Sequence, residues 1–208
     1  MVPSPLSPSI KMSIVRRRKK KIMVLYLIVG DLHVPYRASE IHPAFKKMFV
    51  PGRIQHIFIT GNLIASEMME YFKSICTDVT FTRGDFDDSQ KDIPEVRVIK
   101  LGQITFGMLH GHQVVPWGDK ESLAMWQRKL DCDILITGGT HQQKVFELDR
   151  KFFVNPGSLT GACSPFESDV TPSFVLLDVN DTDVVAFIYL LEEGDVKVRK
   201  KAFTKSSA

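Results

Sequence analysis

The 208-residue chain has only three cysteines, Cys76, Cys132 and Cys163, widely spaced and odd in number. With no CxxC pair, neither a disulfide framework nor a zinc knuckle is indicated, and a reducing compartment such as the cytosol fits. No apolar run approaches the ~20 residues that span a bilayer. No internal repeat is found, and nothing marks a second domain. Charge of one sign is also scarce outside a single place. The net charge of +3 is smaller than the six positive charges of "RRRKKK" at 16–21, so the remainder is near −3. A body without basic excess does not suggest nucleic acid. The short run "IMVLYLIVG" follows the charges and is continued by Gly30-Asp31 rather than a small-residue cleavage site, so it reads as a buried strand and not as a signal peptide.

What is present is an ordinary globular composition, 44% hydrophobic and 25% charged. Residues 1–22 combine Pro, Ser and the basic cluster and read as an extension outside the fold. It is either disordered or an electrostatic tether to anionic membrane. From Met23 the pattern alternates: strand 23–29, short helix 42–50 with Pro43 in its first turn, strand 55–60, helix 65–75 with Ser66 as N-cap, strand 78–82. This β-α-β-α-β order predicts parallel strands with right-handed crossovers. Residues 95–111 then read as two strands around Gly102, followed by a helix at 120–130 and a strand at 132–137. Five β-rich segments follow, with "ELDRKF" and "DVNDTD" as hairpin turns. The expected architecture is α/β, two mixed sheets packed face to face with helices outside. A single domain would run from 23 to 203, with a tail at 204–208.

Polar residues cluster where these strands end. "VGDLH" presents Asp31 and His33, "TGNL" presents Asn62, and "TRGDFDD" presents Asp85. "LHGH" and "GGTH" add His110, His112 and His141. Ligands of open α/β sheets bind beyond the carboxyl ends of strands, so one rim would collect carboxylate, imidazole and amide groups. That donor set suits Zn, Mn or Fe rather than Ca. Beside it, "QVVPWGD" carries Val114, Val115, Pro116 and Trp117 on a loop bounded by turn residues. Such side chains are good interface anchors, although Trp117 is equally read as a cap on the core.

At these residues the chain resembles the calcineurin-like metallophosphoesterase superfamily, whose motifs run D-x-H, G-D, G-N-H-D/E, H-G-H and G-H-x-H. The resemblance spans 23 to about 161 and includes "NPGS" at 155–158. It implies a four-layer αββα sandwich holding two metals. Asp31, His33, Asn62 and His141 would surround one; Asn62, Asp85, His110 and position 139 would surround the other. The departures weaken catalysis. Asn62 stands for the bridging Asp, Asp85 for an Asn, Phe86 for the acid His and Gly139 for a ligand His, and the Pro-Arg pair after "NPGS" is missing. Loss of the acid alone removes a contribution of roughly 10²–10⁴-fold.

Longer segments, "GDLHVPYR", "FKKMFVPGRIQHIFITGNL", "RGDFD" and "HGHQVVPWGD", are similar to the small-subunit family of the retromer endosomal coat. Only "GGTH", where that family has GHTH, departs from it; Met23 lies where its members begin. The resemblance implies a non-catalytic scaffold that requires no cofactor and holds at most a weak divalent metal, Zn or Mn. It would bind the helical-solenoid subunit 35 and through it subunit 26, lie peripherally on the cytosolic face of endosomes, and bind no nucleic acid. Regulatory proteins would use a second apolar patch including Leu25, Leu176 and Tyr189. The enzyme alternative is a divergent phosphoesterase with His112 as substitute acid; otherwise His112 is a structural residue of its turn.

Overall fold

The computed structural model describes residues 24–88 and 92–205. The extension at 1–22, read as disordered or as a tether, lies outside the described residues. Its first half is β1 (Val24–Val29), α1 (Pro43–Lys46), β2 (Ile54–Ile59), α2 (Ser66–Ile75) and β3 (Val79–Phe81). The three strands pair in parallel, β1 to β2 to β3, as the crossovers require. Then come β4 (Val96–Leu101), β5 (Ile104–Leu109), α3 (Lys120–Leu130), β6 (Ile134–Ile136), β7 (Gln143–Leu148), β8 (Lys151–Pro156), β9 (Ser173–Asn180), β10 (Asp183–Glu192) and β11 (Asp195–Thr204). One sheet has the order β11-β10-β9-β1-β2-β3 and the other β4-β5-β6-β8-β7. Both are mixed, because β9 runs antiparallel to β1 and β4 and β7 run antiparallel to their neighbours.

The layers follow from strand alternation. Tyr26 and Ile28 of β1 point between the sheets, where they join Phe58, Phe106, Met108, Ile134, Phe152 and Val154. Leu27 and Val29 point the other way, into a cluster with Phe45 of α1 and Phe72 and Ile75 of α2. Both faces of β1 are therefore buried, which accounts for its unbroken apolar run. On the outer face of the second sheet, Leu109, Leu135 and Phe153 pack against Leu123 and Ala124 of α3. Helix, sheet, sheet, helix: the αββα sandwich expected from the sequence is the observed fold. Each buried large apolar side chain contributes about 1.5–3 kcal/mol. Among the described residues no helix is long and apolar enough to cross a membrane.

Several boundaries differ from expectation for local reasons. The helix expected over 42–50 is a single turn at Pro43–Lys46, begun by His42 Nδ1 accepting from the Ala44 N–H at 3.3 Å. Ser66 is not the cap of α2. The cap is Ala65, which has no side-chain bond, and the Ser66 hydroxyl turns to Glu67 instead. Asp119 supplies the genuine side-chain cap, accepting from Ser122 N–H at the start of α3. The tail boundary also moves. β11 runs to Thr204, and Lys205 N–H donates to the Thr182 carbonyl. Its ammonium reaches Asp133 at 2.8 Å, where Lys151 and the Thr105 N–H also bind. Residues 204 and 205 thus belong to the fold.

Cys132 is fully buried beside α3, and burial pushes its thiol up to about 11. Cys163 is exposed. At about pH 8 an alkylating reagent should label Cys163 in the native protein and reach Cys132 only on unfolding. Peptide mass spectrometry reads this directly; equal labelling of both would contradict the packing of α3.

Candidate metal centre

The rim is assembled by chain reversals at strand ends. Asp31 and His33 follow β1, Asn62 follows β2, Asp85 follows β3, His110 follows β5 and His141 follows β6. Asp31, His33, Asn62, Ile64 and His141 all have left-handed backbones, with φ of 52°, 49°, 56°, 70° and 60°. Such conformations cost about 1–3 kcal/mol each at non-glycine residues, and here they gather in one place. Glycines make the close approaches. A Cβ at Gly30 would lie 1.8 Å from Thr60 Oγ1, and one at Gly84 would lie 2.1 Å from Asn62 Oδ1.

Within the rim, Asp31, His33 and His141 bring one ligand atom each to within 4.8 Å of one another. His33 Nε2 and His141 Nε2 stand 3.2 Å apart. Asp31 Oδ2 accepts from Gly139 N–H at 2.8 Å, whereas the buried Asp31 Oδ1 accepts no hydrogen bond. His141 Nδ1 is held by the Ala162 carbonyl at 2.6 Å and His110 Nδ1 by the Thr60 carbonyl at 2.8 Å. Backbone anchoring of one ring nitrogen turns the other inward, as ligating histidines require. An orphaned carboxylate oxygen facing two close imidazole nitrogens fits a divalent cation.

The electrostatics agree. Burial raises the Asp31 pKa, against the attraction of His110 and His141. Burial, with His141 and Arg37 nearby, pushes the His33 pKa down to about 3, so its ring is neutral. Burial opposes protonation of His110 too, but the Asp31 and Asp85 carboxylates outweigh it and hold its pKa above the ordinary value. Asp85, 3.1 Å from His110 Nε2, keeps its charge despite burial because His110 and Asn62 donate to it. The two carboxylates thus favour positive charge at His110, as they would favour a bound ion.

Asn62 departs from its expected role. Its oxygen does not turn into the rim, because Oδ1 accepts from the Phe86 N–H at 3.0 Å. The amide nitrogen turns in, 3.0 Å from Asp85 Oδ1, 3.0 Å from His110 Nε2 and 3.3 Å from His33 Nε2. A neutral N–H donor thus sits among the ligand atoms where a bridging anion is needed. Phe86 is half-exposed, packs edge-on against His33 at 5.3 Å, and carries the Arg37 guanidinium 4.5 Å over its ring. Sequence reasoning missed Asp87. It is buried and accepts from the N–H groups of Asn62, Gly84 and Ile64, tying the loops after β2 and β3 together. Its position three residues after Gly84 was the available signal, that of a turn-forming Asp.

Among the loop residues, Val115 is 76% exposed and Pro116 is exposed, but Val114 is buried in the cluster under α3. A turn closed by Val114 N–H to the Gly111 carbonyl sets its side chain in that cluster, so Val114 is removed from the surface set. Trp117 is partly exposed and lies edge-on to exposed Phe166, with centroids 5.3 Å apart. Leu25, Leu176 and Tyr189 are all half-buried on the first sheet. Leu176 and Tyr189 belong to the outer-face cluster, Tyr189 stacking on Phe174 at 4.6 Å.

This sandwich with a two-lobed His/Asp rim defines a class: residues 24–182 match the calcineurin-like phosphoesterase superfamily domain. The chain is 41% identical over 186 residues to vacuolar protein sorting-associated protein 29 (Vps29) of Schizosaccharomyces pombe, covering 88% of this chain and 99% of that one. Two solved structures are similarly close. Vps29 of Cryptosporidium parvum has a TM-score of 0.84 and 39% identity, covering 88% of this chain and 99% of that one. Wild-type Vps29 of Entamoeba histolytica in complex with Zn²⁺ has a TM-score of 0.82 and 44% identity, covering 87% and 100%. The chain therefore belongs to the Vps29 family within the phosphoesterase superfamily.

Replacing Asn62 with Asp would supply the missing anionic bridge. Asn62→Asp should tighten Zn²⁺ or Mn²⁺ binding by about tenfold or more and lower the melting temperature in chelator, where an added carboxylate is uncompensated. Calorimetric titration and melting with and without EDTA check this; unchanged affinity would show that residue 62 does not face the ion.

Proposed function

We propose that the chain is a non-catalytic scaffold subunit of the retromer coat. It binds the helical-solenoid subunit 35, and through it subunit 26, for retrograde retrieval of cargo from endosomes. It works in the cytoplasm and at the cytosolic face of the endosome membrane, peripherally through the coat. The observation that carries this reading is the chemistry of the rim. Where an acid is needed there is Phe86, and Tyr36, Val115, Trp117 and Phe166 are exposed as well, Trp117 against Phe166. Large side chains left in water beside a degenerate site are docking anchors rather than substrate contacts. Val115→Asp should abolish capture of purified subunit 35 while the circular dichroism spectrum stays unchanged. Wild-type affinity in that variant would refute the loop's part in docking.

The patch on the outer face of the first sheet extends the same logic to regulatory proteins. There Tyr189 stands opposite Val198, itself 47% exposed, and Leu176 packs into the same cluster as Tyr189. Leu25 lies on the neighbouring strand of the same sheet. Tyr189→Asp should leave binding of subunit 35 intact in the same capture assay, since the patch is separate from the rim. A divergent phosphoesterase is the second reading, favoured by the intact Asp31, His33 and His141 group. Turnover of an aryl phosphate with Mn²⁺, lost in Asp31→Ala, would establish it.

A further inference from the structure

The second half of the rim has lost the imidazole expected at position 139. Gly139 has φ +77°, and a Cβ there would lie 3.4 Å from His110 Nε2 and 3.6 Å from the backbone nitrogen of His112. The vacated space is therefore bounded by His110 and His112. Three groups nevertheless converge beside it: Asp85, His110 and His112 each offer one ligand atom, all within 4.8 Å of one another. The His110 ring is anchored through Nδ1 to the Thr60 carbonyl, which leaves Nε2 facing Asp85 Oδ1 at 3.1 Å. His112 comes back towards His110 through Gly111, whose φ is +114° and whose added Cβ would lie 2.6 Å from the Gly138 carbonyl oxygen. The two rings end 5.5 Å apart. His112 does not serve its turn: its Nδ1 is buried and has no hydrogen-bond partner. A buried imidazole nitrogen without a partner is costly unless something binds it.

We propose that His112 replaces the missing imidazole, so that a second divalent cation of the Zn or Mn type is held by Asp85, His110 and His112. The first ion keeps Asp31, His33 and His141, and the two sites share no protein ligand, because Asn62 turns its nitrogen rather than its oxygen to them. Two imidazoles and one carboxylate make a usual donor set for such ions. The ligand exchange is specific to a chain with glycine at 139, and it stands apart from the docking reading, since neither depends on the other.

Chelator-treated protein titrated with Co²⁺ tests this, read by visible absorption and by calorimetry. Wild type should bind two equivalents. His112→Ala should keep the first and weaken the second by about tenfold or more, and His112→Ala with Gly139→His should regain it. Two undiminished equivalents in His112→Ala, or a single equivalent in wild type, would overturn the proposal. Anomalous diffraction from Zn²⁺-soaked wild-type crystals gives a readout free of any variant. An ion bonded to His112 supports the assignment, and one bonded to Asp85 and His110 but not His112 refutes it.

Discussion

A carboxylate buried away from water must be neutralised, and Asp31 is such a group, with no exposed surface. Much of the rim's construction answers that demand. Gly139 N–H reaches one of its oxygens, and His110 Nε2 lies 3.7 Å from the other. Bringing those groups to it requires the chain to reverse within a few residues of each strand end, which is where the left-handed residues stand. The desolvation cost of an unpaired buried charge far exceeds the strain of a few unfavourable φ angles. Burial of Asp31 and the strained loops are consequences of one constraint.

The same constraint explains how the loops hold together around Asn62. Asn62 places its amide nitrogen among Asp85, His110 and His33, and the neighbouring carboxylates raise the proton affinity of His110. These substitutes keep the loops together without a bridging anion, while Asp87 fastens them from behind through three backbone N–H groups. Phe86 then closes the surface over His33, stacked under Arg37. Among the rim's aromatic side chains, Phe86 is left exposed to solvent.

Much of this was legible along the chain. Alternating strand and helix periods located the parallel half, and unbroken apolar runs such as "VLYLIV" marked strands buried on both faces. The residues that gather at the rim, Asp31, His33, Asn62, Asp85, His110 and His141, were each announced by a strand followed by a turn. Less legible were features set by packing. The helix at 42–50 shortened to one turn, Ser66 gave up its capping role, and Thr204 and Lys205 were drawn into the fold through Asp133. Local propensity is worth tenths of a kcal/mol to about 1 kcal/mol per residue, which tertiary contacts routinely exceed.

Sequence by itself determined the layer order and the composition of the rim, because hydrophobic periodicity and chain reversals are local properties. Only the tertiary structure decided which way side chains face. It buried Val114 while exposing Val115, directed the amide nitrogen of Asn62 inward because Phe86 N–H claims its oxygen, and brought His112 to within ligand distance of His110 and Asp85. Orientation depends on contacts such as Phe86 N–H to Asn62, 24 positions apart, and no local pattern encodes them.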